Sequence, residues 1–574
     1  MQKSNQWLQL LLIWFPVDNF NEAVDTGMPL RGLPNPRLPM PLVAALLLLG
    51  ALITVVAWSV SSPPGSTPDE DFHLGSIWCP RPAEESCEVA MVEEVRGGQI
   101  EEVPAIWIPS QTAFANCNAP VSIMSAACFD MLSPIDYTWS TRFDTGYYPV
   151  GFYRAMNLLT QVGHNLVSTV FTMRIVNGSL SVLLFAVAAF LFTHQNRRLM
   201  AYALLAVLAP TALYLIISIN PSGWGISGVT LAWLGIHGFL TEKVGWRSRS
   251  LLVVGAIGAL LAASARGDAG LAVSLAALAA VVLHWHRFRR DWRLLIAPVA
   301  VAAIGIIGFL TSGQVGSAAE GLAEDGPGGY LLNNALELPA FLIDAIVGPL
   351  NWLDTPLPAI SRIPVIMLVA AVAFVGMRQM DFPKALALLG LFFSLTALPL
   401  IILEISGTQL GLYFQARYLT PIIPLIMLTA LWNPHSGKVA RFSQPQLWVI
   451  WATLATGHAW ALHTQILRFT HGLAIRWWNL NYAPEWWAFG VSPMATWVLG
   501  ALGFALLLLG LFAVSARGHH TQFETQSELN KTELTLEPAF PNEIEIPVET
   551  FFAPVLHPNP PILMGPVEGT NWNP

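Results

Sequence analysis

Residues 40–60 read MPLVAALLLLGALITVVAWSV, and residues 68–73, a few positions on, read PDEDFH. The first stretch carries no charge, and a helix of about 20 such residues crosses the hydrocarbon of a bilayer. The second sets three carboxylates, Asp69, Glu70 and Asp71, and a histidine, His73, where the chain would leave the membrane. Pro68, Asp69 and Glu70 suit a solvated helix start, through capping and the helix dipole. A carboxylate there also suits a general base, with a neighbour orienting it or holding an acceptor hydroxyl. His73 lies four positions after Asp69, on the same helical face. It reads as a second proton carrier, a metal ligand or a capping group.

The rest of the composition agrees with a membrane solvent. Of 574 residues, 54% are hydrophobic and only 11% charged, and mean hydropathy is +0.54. Soluble domains carry about 25% charged residues. The 22 tryptophans and 29 phenylalanines fit apolar spans and interfacial belts. A net charge of −8 does not favour nucleic acid. No Walker loop, dinucleotide fingerprint, H-E-x-x-H or G-x-S-x-G occurs, so ATP-driven transport finds no support.

Residues 1–38 read as a cytoplasmic N-terminal segment, with an apolar Trp7–Val17 run too short to span, followed by Arg31 and Arg37. Further spans are expected near 168–193, 199–218, 224–240, 250–265, 268–284, 295–313, 363–378, 384–403, 419–433, 446–466 and 493–515. Basic residues gather in alternate turns, for example Arg197 and Arg198, Lys243 with Arg247 and Arg249, and Arg287 to Arg293. That asymmetry predicts about twelve transmembrane helices, a plasma-membrane, multi-pass location and both termini cytoplasmic. Ala265-Arg266-Gly267-Asp268 reads either as an outer turn between two short spans or as a kink in one re-entrant element. Residues 62–165 form a long first extracytoplasmic loop, its second half aromatic and expected as one or two surface helices. Residues 316–360 and 467–492 form further outer loops within a transmembrane domain at 39–515. Residues 516–574 are Pro-rich and acidic and are expected as a disordered cytoplasmic tail.

All four cysteines, Cys79, Cys87, Cys117 and Cys128, fall in the first outer loop. Disulfides persist on that side, and short loops favour Cys79–Cys87 and Cys117–Cys128 among three pairings. Zinc is the rival, disfavoured because no C-x-x-C pair occurs. Other outer-face polar groups are candidates for substrate contacts. Arg417 suits a phosphate, or a pairing with Glu404. Arg174, about two turns into a span, should face a cavity or a partner. Arg266 could pair with Asp268, and Asn220 in Asn220-Pro221-Ser222-Gly223 reads first as a tight turn. Tyr147 and Tyr148 could wall a sugar site or sit among headgroups.

Three motifs together carry a family resemblance: PDEDFH at 68–73 after the first span, NPSG at 220–223, and QARYLTP at 415–421 before a late span. They resemble the bacterial predicted-membrane-protein family catalogued as domain of unknown function 2142, over about residues 40–515. That family looks related to the GT-C glycosyltransferases, multispan enzymes that use polyprenyl-phosphate-linked sugars. The resemblance implies an all-α polytopic, GT-C-like fold with surface helices over the site. By it, Asp69 or Glu70 is the candidate base with His73 beside it. Arg417 becomes a donor-phosphate ligand, and Asp71, Tyr147, Tyr148, Arg174, Asn220 and Arg266 are further substrate contacts. The second acidic pair of such enzymes has no clear counterpart here; Asp344 and Asp354 are the nearest.

The expected function is therefore sugar transfer from a lipid-linked sugar donor to a cell-envelope glycan or lipid acceptor, among membrane lipids, with no nucleic-acid partner. No cofactor is assigned beyond an optional divalent cation. A transporter or flippase of a lipid-linked glycan, and a non-catalytic envelope assembly protein, are the alternatives. Sugar transfer predicts Asp69, Glu70 and Arg417 around one cavity, with a gap for a sugar ring in place of a salt bridge.

Overall fold

The computed structural model describes residues 39–516, except 97, 118, 120, 133–134, 315–328, 413, 483–485 and 488–489. The expected N-terminal segment and nearly all of the acidic tail lie outside the described residues. Among the described residues the chain is mostly helical.

Helix α1 (Met40–Ser59) begins at Pro39 and runs uncharged to the motif loop. After it come α2 (Glu70–Trp78), the strands β1 (Val89–Arg96), β2 (Gln99–Pro109) and β3 (Tyr137–Ser140), and α3 (Gly151–Asn157). The apolar series then follows: α4 (Leu166–Leu191), α5 (His194–Val207), α6 (Pro210–Ile217), α7 (Pro221–Thr241), α8 (Trp246–Ala265), α9 (Gly267–Leu283) and α10 (Ile296–Leu310). The last group is α11 (Leu331–Val347), α12 (Ala359–Gly376), α13 (Phe382–Leu395), α14 (Ala397–Ile405), α15 (Ile422–Leu431), α16 (Gln444–Thr470) and α17 (Pro493–Ala516).

Every apolar segment expected as a span contains a helix, but the helices are not equivalent. Among the described residues seven are long and apolar enough to cross a membrane, or eight if the bent pair α5 and α6 counts as one span. That pair turns by 89° at Leu208 and Ala209, where Pro210 opens the second helix. Helix α15 has 10 residues, all buried, so it is a core helix too short to span alone. Helices α8 and α9 are separate and meet at Arg266, whose backbone is extended. The first and last described helices pack along each other at small residues; a Cβ on Gly50 would collide with the backbone of Leu507 and Gly503. Close approach at glycine is how apolar helices associate in lipid.

Residues 62–165 hold more than the one or two surface helices expected in their second half. They include a three-stranded antiparallel sheet in the order β1-β2-β3. Val89 pairs with Ile106, and Ile106 in turn with Ser140. One face of this sheet is covered: Ile106 and Ile108 are buried with Cys79, Ala83 and Phe143. Only α3 matches the expected surface helices, and it buries Phe152, Tyr153 and Met156. Both local disulfides, Cys79–Cys87 and Cys117–Cys128, are present.

Candidate functional site

The loop from Ser61 to Pro68 is irregular and wholly buried except where the chain surfaces at Asp69. Non-helical backbone at such a depth survives only inside protein, with its polar groups satisfied. Arg174 of α4 does most of that. Its Nη1 donates to the Ser59 carbonyl at 3.0 Å and the Ser62 carbonyl at 2.6 Å, and its Nη2 to the Pro63 carbonyl at 2.9 Å. These are the orphan carbonyls at the end of α1 and beyond it, which cations stabilise. Nη2 also donates to both Glu70 oxygens, at 3.0 and 2.9 Å. The Thr67 amide donates to Glu70 Oε2 at 3.1 Å. Asn220 caps α7 by accepting from the Ser222 amide, and its Nδ2 donates to the Pro68 carbonyl at 3.0 Å. Gly65 has φ of +78°, and a side chain there would strike Ala115.

This arrangement divides the expected site residues. Glu70 and Arg174, expected as a base and a substrate contact, form one buried ion pair with side-chain exposures of 0% and 2%. Glu70 has no route to an acceptor hydroxyl, because its oxygens face only protein donors. Asn220 is likewise committed to the chain: it ties the motif to α7 and offers nothing to a substrate. Asp71 is buried and receives Asn116 Nδ2 at 2.9 Å and Arg142 Nη2 at 3.1 Å. It holds Arg142 and is not free for a ligand.

Asp69 is different. It caps α2 in the left-handed conformation, φ 58° and ψ 22°, where few residues besides Gly, Asn and Asp settle. That turn separates its carboxylate from that of Glu70 and leaves the side chain partly open, with an exposure of 35%, at what is here called the Asp69 cleft. Arg417 Nη2 donates to Asp69 Oδ2 at 2.6 Å, and Arg142 lies 3.8 Å from Oδ1. The expected gap between carboxylate and guanidinium is thus closed, and Glu404 instead accepts from the Gly329 amide. Burial raises the Asp69 carboxyl, but Arg417 by charge and hydrogen bond, with Arg142, outweighs it and holds it below its ordinary range.

Arg417 is itself buried, and only Nη2 among its nitrogens is used; Nε and Nη1 meet no partner among the described residues. A cavity of about 130 Å³ is lined by Arg417 with Pro68, Tyr214, Phe341, Asp344 and Gln415 among others; neither Asp69 nor Glu70 lines it, so the expected single cavity around all three is not what the structure has. Asp344 is ion-paired with Arg362 at 2.7 Å; burial pushes its carboxyl up against that pairing. Asp354 lies instead in a buried pair with Arg468.

Tyr148 is buried and Tyr147 is 44% exposed. Arg266 pairs with Asp268 at 2.8 Å and stands 4.1 Å from the Tyr418 ring centre and 5.4 Å from that of Tyr148. Its Nη1 also lacks a partner among the described residues. Asp144 fixes this loop by accepting from the Tyr147 and Tyr148 amides at 2.7 and 2.9 Å. His73 lies beneath, with Nδ1 3.0 Å from the Tyr153 hydroxyl. Burial, against the pull of Asp69, drives its pKa down to about 3, so it is neutral at pH 7 and cannot donate as an imidazolium. Among the described residues no three His, Cys, Asp or Glu side chains cluster as a metal site.

Arg142, Tyr418 and Trp352 were not singled out in the sequence. Arg142 stands 5.9 Å from the Trp352 ring centre. Arg142 is a basic residue in an acidic segment, which was a usable signal; Trp352 had none.

Residues 52–426, well over half of the chain, match the model of a predicted membrane protein family, DUF2142. The chain belongs to the DUF2142 family. The match takes in all three motif segments, 68–73, 220–223 and 415–421, and ends within α15. No curated protein and no solved structure matches this DUF2142 chain.

Proposed function

We propose that this DUF2142 protein transfers a sugar from a polyprenyl-phosphate donor to a cell-envelope acceptor, at the membrane face that carries the Asp69 cleft. The observation that carries the reading is the half-used Arg417: one nitrogen on Asp69, two buried without a partner among the described residues, in a side chain that lines a cavity. A phosphate oxygen pair is the natural ligand of such a fork.

The mechanism uses the closed pair as a resting state. An incoming donor phosphate takes Arg417, and Asp69 is released. Without the guanidinium its carboxyl pKa rises, which makes it a better base. Asp69 accepts the proton of the acceptor hydroxyl as that oxygen attacks the anomeric carbon. The bond from that carbon to the phosphate oxygen breaks, and the lipid phosphate leaves with its charge held by Arg417, aided by Arg266. A single displacement of this kind inverts the anomeric centre. Glu70 and Arg174 keep the loop rigid, so the carboxylate starts from one position.

Purified protein reconstituted with a polyprenyl-phosphate sugar, and mass spectrometry of envelope glycans with and without the gene, test the reading. Asp69→Asn should reproduce the glycan loss that deletion causes. Normal envelope glycosylation by that variant would sink the enzyme and leave transport or assembly.

A further inference from the structure

A larger cavity than the one beside Arg417 lies elsewhere in the helix bundle. About 500 Å³ lies in a groove among α1, α4, α5, α6 and α17. It follows α1 from Val43 to Val55 and α4 from Gly178 to Phe190. Twelve residues of helix rise about 18 Å, close to the roughly 15 Å depth of one hydrocarbon leaflet. One end stops at Val55, Gly178 and Ile217, about one turn short of Arg174. The opposite end, away from the motif, reaches His194 and Arg197. The groove is apolar along its length and basic only at that mouth.

His194 and Arg197 line that mouth, and Arg198, the next residue in the chain, is buried without lining the groove itself. Arg197 donates from Nε to the Ala189 carbonyl at 2.7 Å and from Nη2 to the Phe190 carbonyl at 3.3 Å, which fixes it over the end of α4. Arg198 is 1% exposed and donates from Nε to the Ser515 carbonyl at 3.1 Å, next to groove residue Val514. Its Nη1 and Nη2 have no partner among the described residues. Among the described residues neither arginine has a carboxylate within ion-pair distance. The nearby carboxylate Glu242 is occupied by Thr193 and Asn196. Burying an unpaired guanidinium is costly unless an anion joins it.

We infer that this groove holds one acyl chain of an anionic phospholipid from the leaflet opposite the Asp69 cleft, with its phosphate at Arg197 and Arg198. The apolar walls take the chain, and the forked guanidinium takes the phosphate. A polyprenyl chain anchored at the Asp69 cleft would bring its phosphate to the wrong end, where Val55 and Ile217 offer no charge.

The full-length protein in phosphatidylcholine nanodiscs, doped with phosphatidylglycerol bearing a photoactivatable chain, provides the test. Crosslinks should map to 43–55 and 178–190 and exceed those of the phosphatidylcholine analogue with the same chain. Arg198→Gln should lower the phosphatidylglycerol signal by about fivefold, as expected for one basic residue at a charged membrane surface. Ala186→Trp, which fills the exposed wall, should lower it with both arginines in place. If Arg198→Gln does not fold, Arg197→Gln at the half-exposed mouth takes its place. Equal labelling by both phospholipids, preferential labelling by a polyprenyl phosphate probe, or a folded arginine variant with undiminished labelling would each overturn the inference.

Discussion

Asp69 and Glu70 are neighbours in the chain, and each pairs with an arginine, yet the two pairs have opposite characters. Glu70 meets Arg174 in the core, where the guanidinium also serves Ser59, Ser62, Pro63 and Ser66. Asp69 meets Arg417 where, among the described residues, the guanidinium hydrogen-bonds to it alone and keeps two nitrogens without a partner. The difference comes from one residue's backbone: the left-handed turn at Asp69 separates two adjacent carboxylates. A saturated pair is a structural weld. An unsaturated pair at a cavity has capacity left for a ligand.

The largest expected effect tests the cleft pair. Asp69→Asn should cut sugar transfer by about 10²–10⁴-fold, the usual worth of a general base. Its melting temperature in detergent should stay near that of the parent. A variant that instead fails to fold would make the cleft pair a weld like its neighbour.

Next comes the core pair. Arg174→Met leaves Glu70 buried without a cation and should cost about 3–5 kcal/mol of stability. Thermal unfolding in detergent measures this directly. If stability is unchanged, the contrast between the pairs is wrong at its root.

Arg417→Lys sharpens the comparison, because it keeps the charge and loses the fork. Donor KM should rise about tenfold, near 1.4 kcal/mol, with little change in melting temperature. Equal donor binding by lysine and arginine would argue against a forked phosphate contact.

A pH series separates the groups further. The folded His73 pKa, about 3, lies below the ordinary 6.5, so the unfolded chain binds more protons between them. Stability should therefore fall as pH drops below about 6.5, by roughly 1 kcal/mol per pH unit, and His73→Gln should flatten that slope. Asp69 is depressed from 3.8, so its contribution is full above that value and is lost only on falling through the lower folded value. The smallest effect is Asn220→Ala, about 1 kcal/mol for a lost cap, because it removes the tie to Pro68 without exposing a charge.

Much of this was legible in the sequence because the membrane imposes simple rules. Uncharged runs marked helices, and the cysteine spacing marked both bridges. The position of the acidic motif at the end of α1 was equally plain. Helix existence did not reveal helix fate, since α15 and the bent α5–α6 pair have the composition of spans without their length or straightness. The sheet was missed because its strands carry Glu93, Glu94, Glu101 and Glu102, which read as solvated loop. In the structure Glu93 faces Glu102 and Glu94 faces Glu101. The Gly97-Gly98 pair between two Val- and Ile-containing runs was the overlooked hairpin signal. Which of two adjacent carboxylates would be buried was not legible at all. That depended on Arg174 and Arg417, which lie 104 and 348 residues further along.

Those separations set an order of events during synthesis. The emerging chain carries Glu70 long before α4 supplies Arg174, and the loop has no cation for its carboxylate until that helix arrives. The cleft must wait longer still, until residue 417 has been made. A ribosome stalled between α4 and α14 would therefore present a chain with its foundation laid and its working carboxylate unguarded. Proteolytic protection of the 61–68 loop should appear in such stalled chains well before any protection of Asp69.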